Sequence, residues 1–199
     1  SSVVISVEDP LLDFEHNLLQ PIKLIQTLIS SDCKKFVFSS SGGTIFGEPN
    51  IIPTSEEDFA GHPVSPYGVA KKKLNEFIKL MLENEKMSYS ILNLSNVYGP
   101  RQDPHGEAGV MSIFTGKMLN NEKPIIYGDG MQQRCFSYID DVIFCLEKLA
   151  LDMNINKEII NIGPDEETTT VLELSKLVAN ETGYNGQPIF VKDRPKEVK

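Results

Sequence analysis

Apolar residues recur along this chain with two alternating periods, and the alternation predicts its elements. Phe14, Leu18, Ile22, Ile25, Leu28 and Ile29 fall three or four apart, which predicts a helix over 14–31. The apolar run Lys35-Phe-Val-Phe-Ser39 predicts a buried strand over 35–40. Residues 48–63, rich in Pro, Glu and Asp, read as a loop. Ser65-Pro66 then supplies an N-cap and a first-turn proline, and Leu74, Phe77, Ile78, Met81 and Leu82 carry a helical stripe onward. Residues 89–95 predict a second strand and 110–120 a helix. Residues 124–127 predict a short strand ending in the turn Gly128-Asp-Gly130. A helix over 140–151 with Asp141 as its cap, a strand over 158–162 and a helix over 170–182 closed by Gly183 complete the pattern. Helices alternating with strands predict an α/β fold with a parallel sheet and right-handed crossovers. The character changes after Gly99-Pro100, so residues 1–100 form one part and 101–199 mostly a second.

Composition narrows the class. The 199 residues, 40% apolar, suffice for a sizeable core. A net charge of −9 argues against a nucleic-acid partner or an acidic membrane surface. Cys33, Cys135 and Cys145 are odd in number and lack Cys-x-x-Cys spacing, which supports neither a disulfide framework nor a zinc site. No apolar run reaches membrane-spanning length and no signal peptide is visible. The expectation is a soluble, cytoplasmic enzyme.

The chemistry concentrates at Tyr67-Gly-Val-Ala-Lys71. A tyrosine four residues before a lysine shares its helix face, and the ammonium can stabilise a tyrosinate. Free tyrosine, with a pKa of about 10, is a poor base at neutral pH unless a cation draws it down. The run Ser39-Ser40-Ser41-Gly42-Gly43-Thr44 leaves the strand before it, so its hydroxyls belong at the strand's C-terminal end, where doubly wound folds bind ligands. A hydroxyl donor, a tuned tyrosine and a lysine together suit proton transfer at a sugar hydroxyl.

The order SSSGGTIFGEPN, SPYGVAKKKLNEF, LNLSNVYGPRQ, IIYGDGMQQRCFSYIDDV, NIG and RPKEVK resembles the extended short-chain dehydrogenase/reductase family, and within it the NAD-dependent nucleotide-sugar epimerases. The resemblance implies a Rossmann-like, doubly wound parallel sheet with a smaller C-terminal α/β substrate-binding domain. Residues 1–100 would then be the C-terminal half of an NAD-binding domain. It implies NAD as cofactor, with Ser39, Ser40, Asn17, Tyr67 and Lys71 touching it, and a nucleotide sugar as substrate. Asn96, Val110, Tyr127, Arg134, Arg194 and Glu197 are the positions it places at the substrate. Arginine suits a diphosphate because its fork binds two oxygens at once. Relatives carry Asp where this chain has Glu197, and their catalytic Ser or Thr falls at Gly42, which displaces the hydroxyl to Ser41 or Thr44. The family's Gly-x-x-Gly-x-x-Gly turn does not occur in these 199 residues, so the chain is expected to be an internal portion of a longer enzyme. Relatives dimerise through two helices per subunit, here 14–31 and 67–85, so a homodimer is expected.

The resemblance points to C4 epimerisation through a 4-keto sugar. Sugar dehydratases carry acidic residues where this chain has Gly43 and Thr44. A dehydratase or reductase of the same family, and a non-catalytic fragment that only binds a nucleotide sugar, are the alternatives.

Overall fold

The computed structural model describes residues 3–49, 51–57, 61–105, 109–164 and 168–194. Its first part opens with α1 (Val3–Glu8) and α2 (Pro10–Phe14), the latter capped by Asp9, whose side chain accepts from Leu12 N. The helix then widens into a single π turn, Glu15–Leu19, before α3 (Gln20–Ile29). Gln20 N reaches back five residues to Glu15 O. Pro21 explains the widening, since a proline inside a regular α-helix collides with the carbonyl four residues earlier. The helix expected over 14–31 is thus three segments.

The sheet that organises the molecule holds β1 (Lys35–Ser41), β2 (Ser88–Leu94) and β7 (Glu158–Ile162), all parallel, in the order β1-β2-β7. A short α4 (Gly42–Ile45) turns the chain off β1. The long α5 (Pro66–Leu82) runs back along one face, capped by Ser65 Oγ accepting from Gly68 N at 3.1 Å. Leu74, Ile78 and Leu82 of α5 meet Ile25 of α3 and Tyr89 and Ile91 of β2 in the main core.

Beyond β2 lie β3 (Asn96–Tyr98), α6 (Val110–Leu119), β4 (Ile125–Tyr127), β5 (Gln133–Arg134), β6 (Phe136–Tyr138) and α7 (Ile139–Leu151). After β7 come β8 (Thr169–Thr170), α8 (Val171–Thr182) and β9 (Ile189–Val191). Two-stranded pairings join β3 to β6, β4 to β9 and β5 to β8. A second core packs Phe114 and Met118 of α6 against Leu174 and Val178 of α8, with Ile126 of β4 between them. Thr170 and Glu173 form a capping box on α8, and Gly183 closes it at φ +69°.

The expected strands and later helices match within one or two residues, whereas the first helical run starts at Pro10 rather than 14 and carries the π turn, and α5 stops at Leu82 rather than 85. Asp141 differs from expectation. The helix begins at Ile139 with Tyr138 at the N-cap position, so Asp141 sits inside the first turn, where its charge faces the positive end of the helix dipole. Among the described residues no helix is long and apolar enough to cross a membrane, no cluster of metal-ligating side chains forms, and the three cysteines are free thiols.

Candidate active site

The sequence places Tyr67 and Lys71 on the first turns of α5, and the fold lays that helix beside the end of β1. The Lys71 ammonium lies 4.8 Å from the Phe38 ring centre and 5.7 Å from that of Tyr67. Both distances suit a cation held on aromatic faces. Burial pushes the Lys71 ammonium below its ordinary range, while the Asp13 carboxylate pulls it back up. Asp13 and Asn17 are themselves buried, and Asn17 Nδ2 donates to Asp13 Oδ1 at 2.8 Å. The π turn thus places Asn17 on the carboxylate that faces Lys71.

The Ser-rich run splits by strand alternation. Ser40 faces α5 and is 5% exposed, with its hydroxyl unpartnered among the described residues, whereas Ser39 points to the other face and is exposed. Ser41 ends β1, and Thr44 Oγ1 donates to Ser41 O at 3.4 Å. Gly42 sits against the end of β2: a Cβ there would lie 3.1 Å from Asn93 O and 3.2 Å from Leu94 O. A side chain at position 42 would therefore need the end of β2 to give by a few tenths of an ångström. Gly68 explains how α5 comes so close, since a Cβ on it would lie 2.6 Å from Thr44 O.

A cleft of about 630 Å³ opens at the C-terminal ends of β1, β2 and β7. Gly42, Gly43, Asn96 and Arg134 line it, together with Asn93, Asn161, Glu56 and Cys135. Its position is the one that open parallel sheets use for ligands. Burial pushes the Cys135 thiol above its ordinary range. Tyr67, Lys71, Ser41 and Thr44 stand beside the cleft's β1 end and are not among its lining residues, and the remaining expected positions lie elsewhere. Tyr127 ends β4 with the Arg194 guanidinium 3.8 Å over its ring, and Val110 opens α6 against the second core. Glu197 lies outside the described residues.

Asn93, Asn161 and Glu56 are cleft residues that the sequence reading did not single out. A signal existed. Both strands break an apolar run with asparagine at the same place, Ile-Leu-Asn-Leu and Ile-Ile-Asn-Ile, and the two asparagines are register partners.

This arrangement is that of the doubly wound α/β class, with a ligand cleft where its strands end. Within that class the chain belongs to the NAD dependent epimerase/dehydratase family, whose profile matches residues 1–163. A Methanocaldococcus jannaschii protein provisionally named UDP-glucose 4-epimerase is 45% identical over 193 residues, 97% of this chain and 62% of that protein. The Thermotoga maritima UDP-glucose 4-epimerase, solved with UDP-glucose, is 40% identical, with a TM-score of 0.92 over all of this chain and 63% of that one. The Thermus thermophilus UDP-glucose 4-epimerase in complex with NAD is 35% identical, with a TM-score of 0.87 over all of this chain and 64% of that one. The chain therefore spans a little under two thirds of these relatives.

Proposed function

We propose that the protein acts as an NAD-dependent epimerase of a nucleotide-linked sugar, inverting C4 of a UDP-sugar by way of a 4-keto form. The observation that carries this reading is the half-buried Lys71 ammonium held between Phe38 and Tyr67 on α5, beside the turn that closes β1. A cation so placed favours the tyrosinate, so Tyr67 takes the proton of the sugar's 4-hydroxyl and later returns it. Ser41 or Thr44 donates to the 4-oxygen, and Asn96 and Arg134 in the cleft hold the substrate's polar end. Tyr127 under Arg194 offers a flat platform, and we assign it with Val110 to the nucleotide; the resemblance adds Glu197.

The residues present fit the nicotinamide ribose. Lys71 supplies a half-buried donor, Ser40 an orphaned buried hydroxyl, and Asn17 a fixed amide. NAD supplies the reversible hydride acceptor. We read residues 1–100 as belonging to its domain, and 101–199 mostly to the substrate's.

Elimination asks for an acid and a base beyond the tyrosine. The turn offers Gly43 and Thr44, and the cleft carboxylate Glu56 is engaged by Asn161 N at 2.7 Å. Incubating the whole protein with NAD and UDP-sugars tests the reading. Interconversion of 4-epimers is the expected result. A product lighter by one water would replace it with a dehydratase, and binding without turnover with a nucleotide-sugar-binding protein.

We also infer a cytoplasmic homodimer. Leu80 is 75% exposed and Leu24 53%, with Phe77 and Val69 also exposed. These belong to the helices that pair in dimeric relatives. A helix apolar on a second face needs a cover, and a two-fold copy is the commonest one. Leu80→Glu should yield a monomer by light scattering; a wild-type monomer at micromolar concentration would refute the dimer.

A further inference from the structure

The loop between Gly47 and Gly61 is closed at its base and tied down near its tip. At the base the two glycines press on opposite backbones. A Cβ on Gly47 would lie 2.0 Å from His62 O, and one on Gly61 would lie 1.8 Å from Phe46 O. Lys72 Nζ donates to Gly61 O at 2.7 Å, which fixes the base to α5. Ends this close make a compact surface loop of the kind that often carries function.

Among the described residues, Asn161 ties the loop to the sheet. Asn161 Nδ2 donates to Thr54 O at 2.8 Å, and Asn161 N donates to Glu56 Oε1 at 2.7 Å. Asn161 is itself held, because Asn93 Nδ2 donates to Asn161 Oδ1 at 2.9 Å and Asn75 Nδ2 donates to Asn93 Oδ1 at 3.0 Å. The three amides run head to tail: Asn75 only donates, its Oδ1 having no partner among the described residues, while Asn93 and Asn161 each accept from one neighbour and donate to the next, so each bond polarises the one after it. Asn75 stands one helical turn beyond Lys71 and two beyond Tyr67. A continuous hydrogen-bonded line therefore joins α5 to the loop, and Ile52, Pro53, Thr54 and Glu56 of that loop form part of the cleft wall.

A row of amides can simply knit strands together. Here the last two bonds leave the sheet and end on the loop. One of them engages the carboxylate that would otherwise stand free in a cleft meant for an anion.

We propose that Asn161 and Glu56 are positioning residues. Together they fix residues 51–57 as the cleft wall in register with α5, and so set how tightly the nucleotide sugar is held. The ligand named here rests on the function proposed above; the tie between loop and sheet does not.

Hydrogen exchange by mass spectrometry on the whole protein, with steady-state kinetics beside it, tests this on Asn161→Asp, Glu56→Ala and Glu56→Gln. Asn161→Asp keeps an acceptor for Asn93 but opposes Thr54 O with a second acceptor. In Asn161→Asp and Glu56→Ala, residues 51–57 should exchange about tenfold faster or more, the scale of losing a hydrogen bond to a charged group. KM should rise by about as much, and by more than kcat falls. Glu56→Gln, which keeps the acceptor, should restore protection of 51–57. Unchanged protection in both disrupting variants, failure of Gln to restore it, or a loss confined to kcat would each overturn the proposal. Glu56 lies outside both cores, so Glu56→Ala decides the matter even if Asn161→Asp does not fold. If the wild type turns over no nucleotide sugar, the proposed function falls while the exchange result still rules on the tie.

Discussion

One face of the three-stranded sheet has two halves that are equally buried and chemically opposite. Toward the strands' N-terminal ends, Phe36 stands beside Tyr89, and Phe38 beside Ile91 and Ile159. One step further along that face, the same row reads Ser40, Asn93 and Asn161. Asn93 is 3% exposed and Ile91 0%, so burial does not separate core from site. Accounting for polar partners does. Ile91 gains by leaving water, whereas Asn93 loses unless each of its polar groups finds a partner, and both its amide nitrogen and its oxygen do. The helix α5 follows the same division, with Tyr67 and Lys71 at the polar end and Ile78 and Leu82 at the dry one.

The comparison can be broken at either end. At the polar end, Tyr67→Phe in the whole protein should cut turnover by at least about a hundredfold, the scale of losing a general base. The melting temperature should hold within about 2 °C, because the ring stays. Near-normal turnover would remove Tyr67 from the chemistry. At the dry end, Ile91→Ala should cost about 2–5 kcal/mol in urea unfolding. A loss under about 1 kcal/mol would mean the row is less tightly packed than its burial says.

Lys71 sharpens the division, because it is a charge kept where burial disfavours it. Its folded pKa lies below the ordinary 10.5, so the unfolded chain holds that proton more tightly. The charge therefore costs stability in full below the folded pKa. The cost fades as pH rises through that value and is gone above 10.5. Lys71→Met should be inactive yet melt about 2–4 °C higher at pH 7, with the gap closing toward alkaline pH. A variant that melts lower at every pH would show that contact with Phe38 outweighs the burial of charge.

The sequence disclosed the elements whose logic is local. β1, β2, α5, α7 and α8 each carry a periodic apolar run with a cap or turn beside it, and Ser65, Thr170 and Gly183 mark their ends as expected. What escaped was pairing over distance. β3 and β6 are three residues each, joined across some forty residues of chain, and nothing within either run announces its partner. The site was legible where side chains share a helix turn, as Tyr67 and Lys71 do. It was illegible at Asn93 and Asn161, because asparagine inside a run ordinarily signals a turn. Only the register between β2 and β7 shows that the two complete each other.

Gly42 bears on how the family's members could have diverged. The resemblance puts a hydroxyl at this position in other members, and one nucleotide change can turn a glycine codon into a serine codon. Here that step meets two backbone carbonyls of the central strand, at 3.1 and 3.2 Å from the added carbon. Side chains can swing away, but a strand paired on both edges gives ground only with the whole sheet. A side chain at position 42 is thus admitted only where β2 gives way by a few tenths of an ångström, so the fit of the sheet, and not the codon, sets what this position can become.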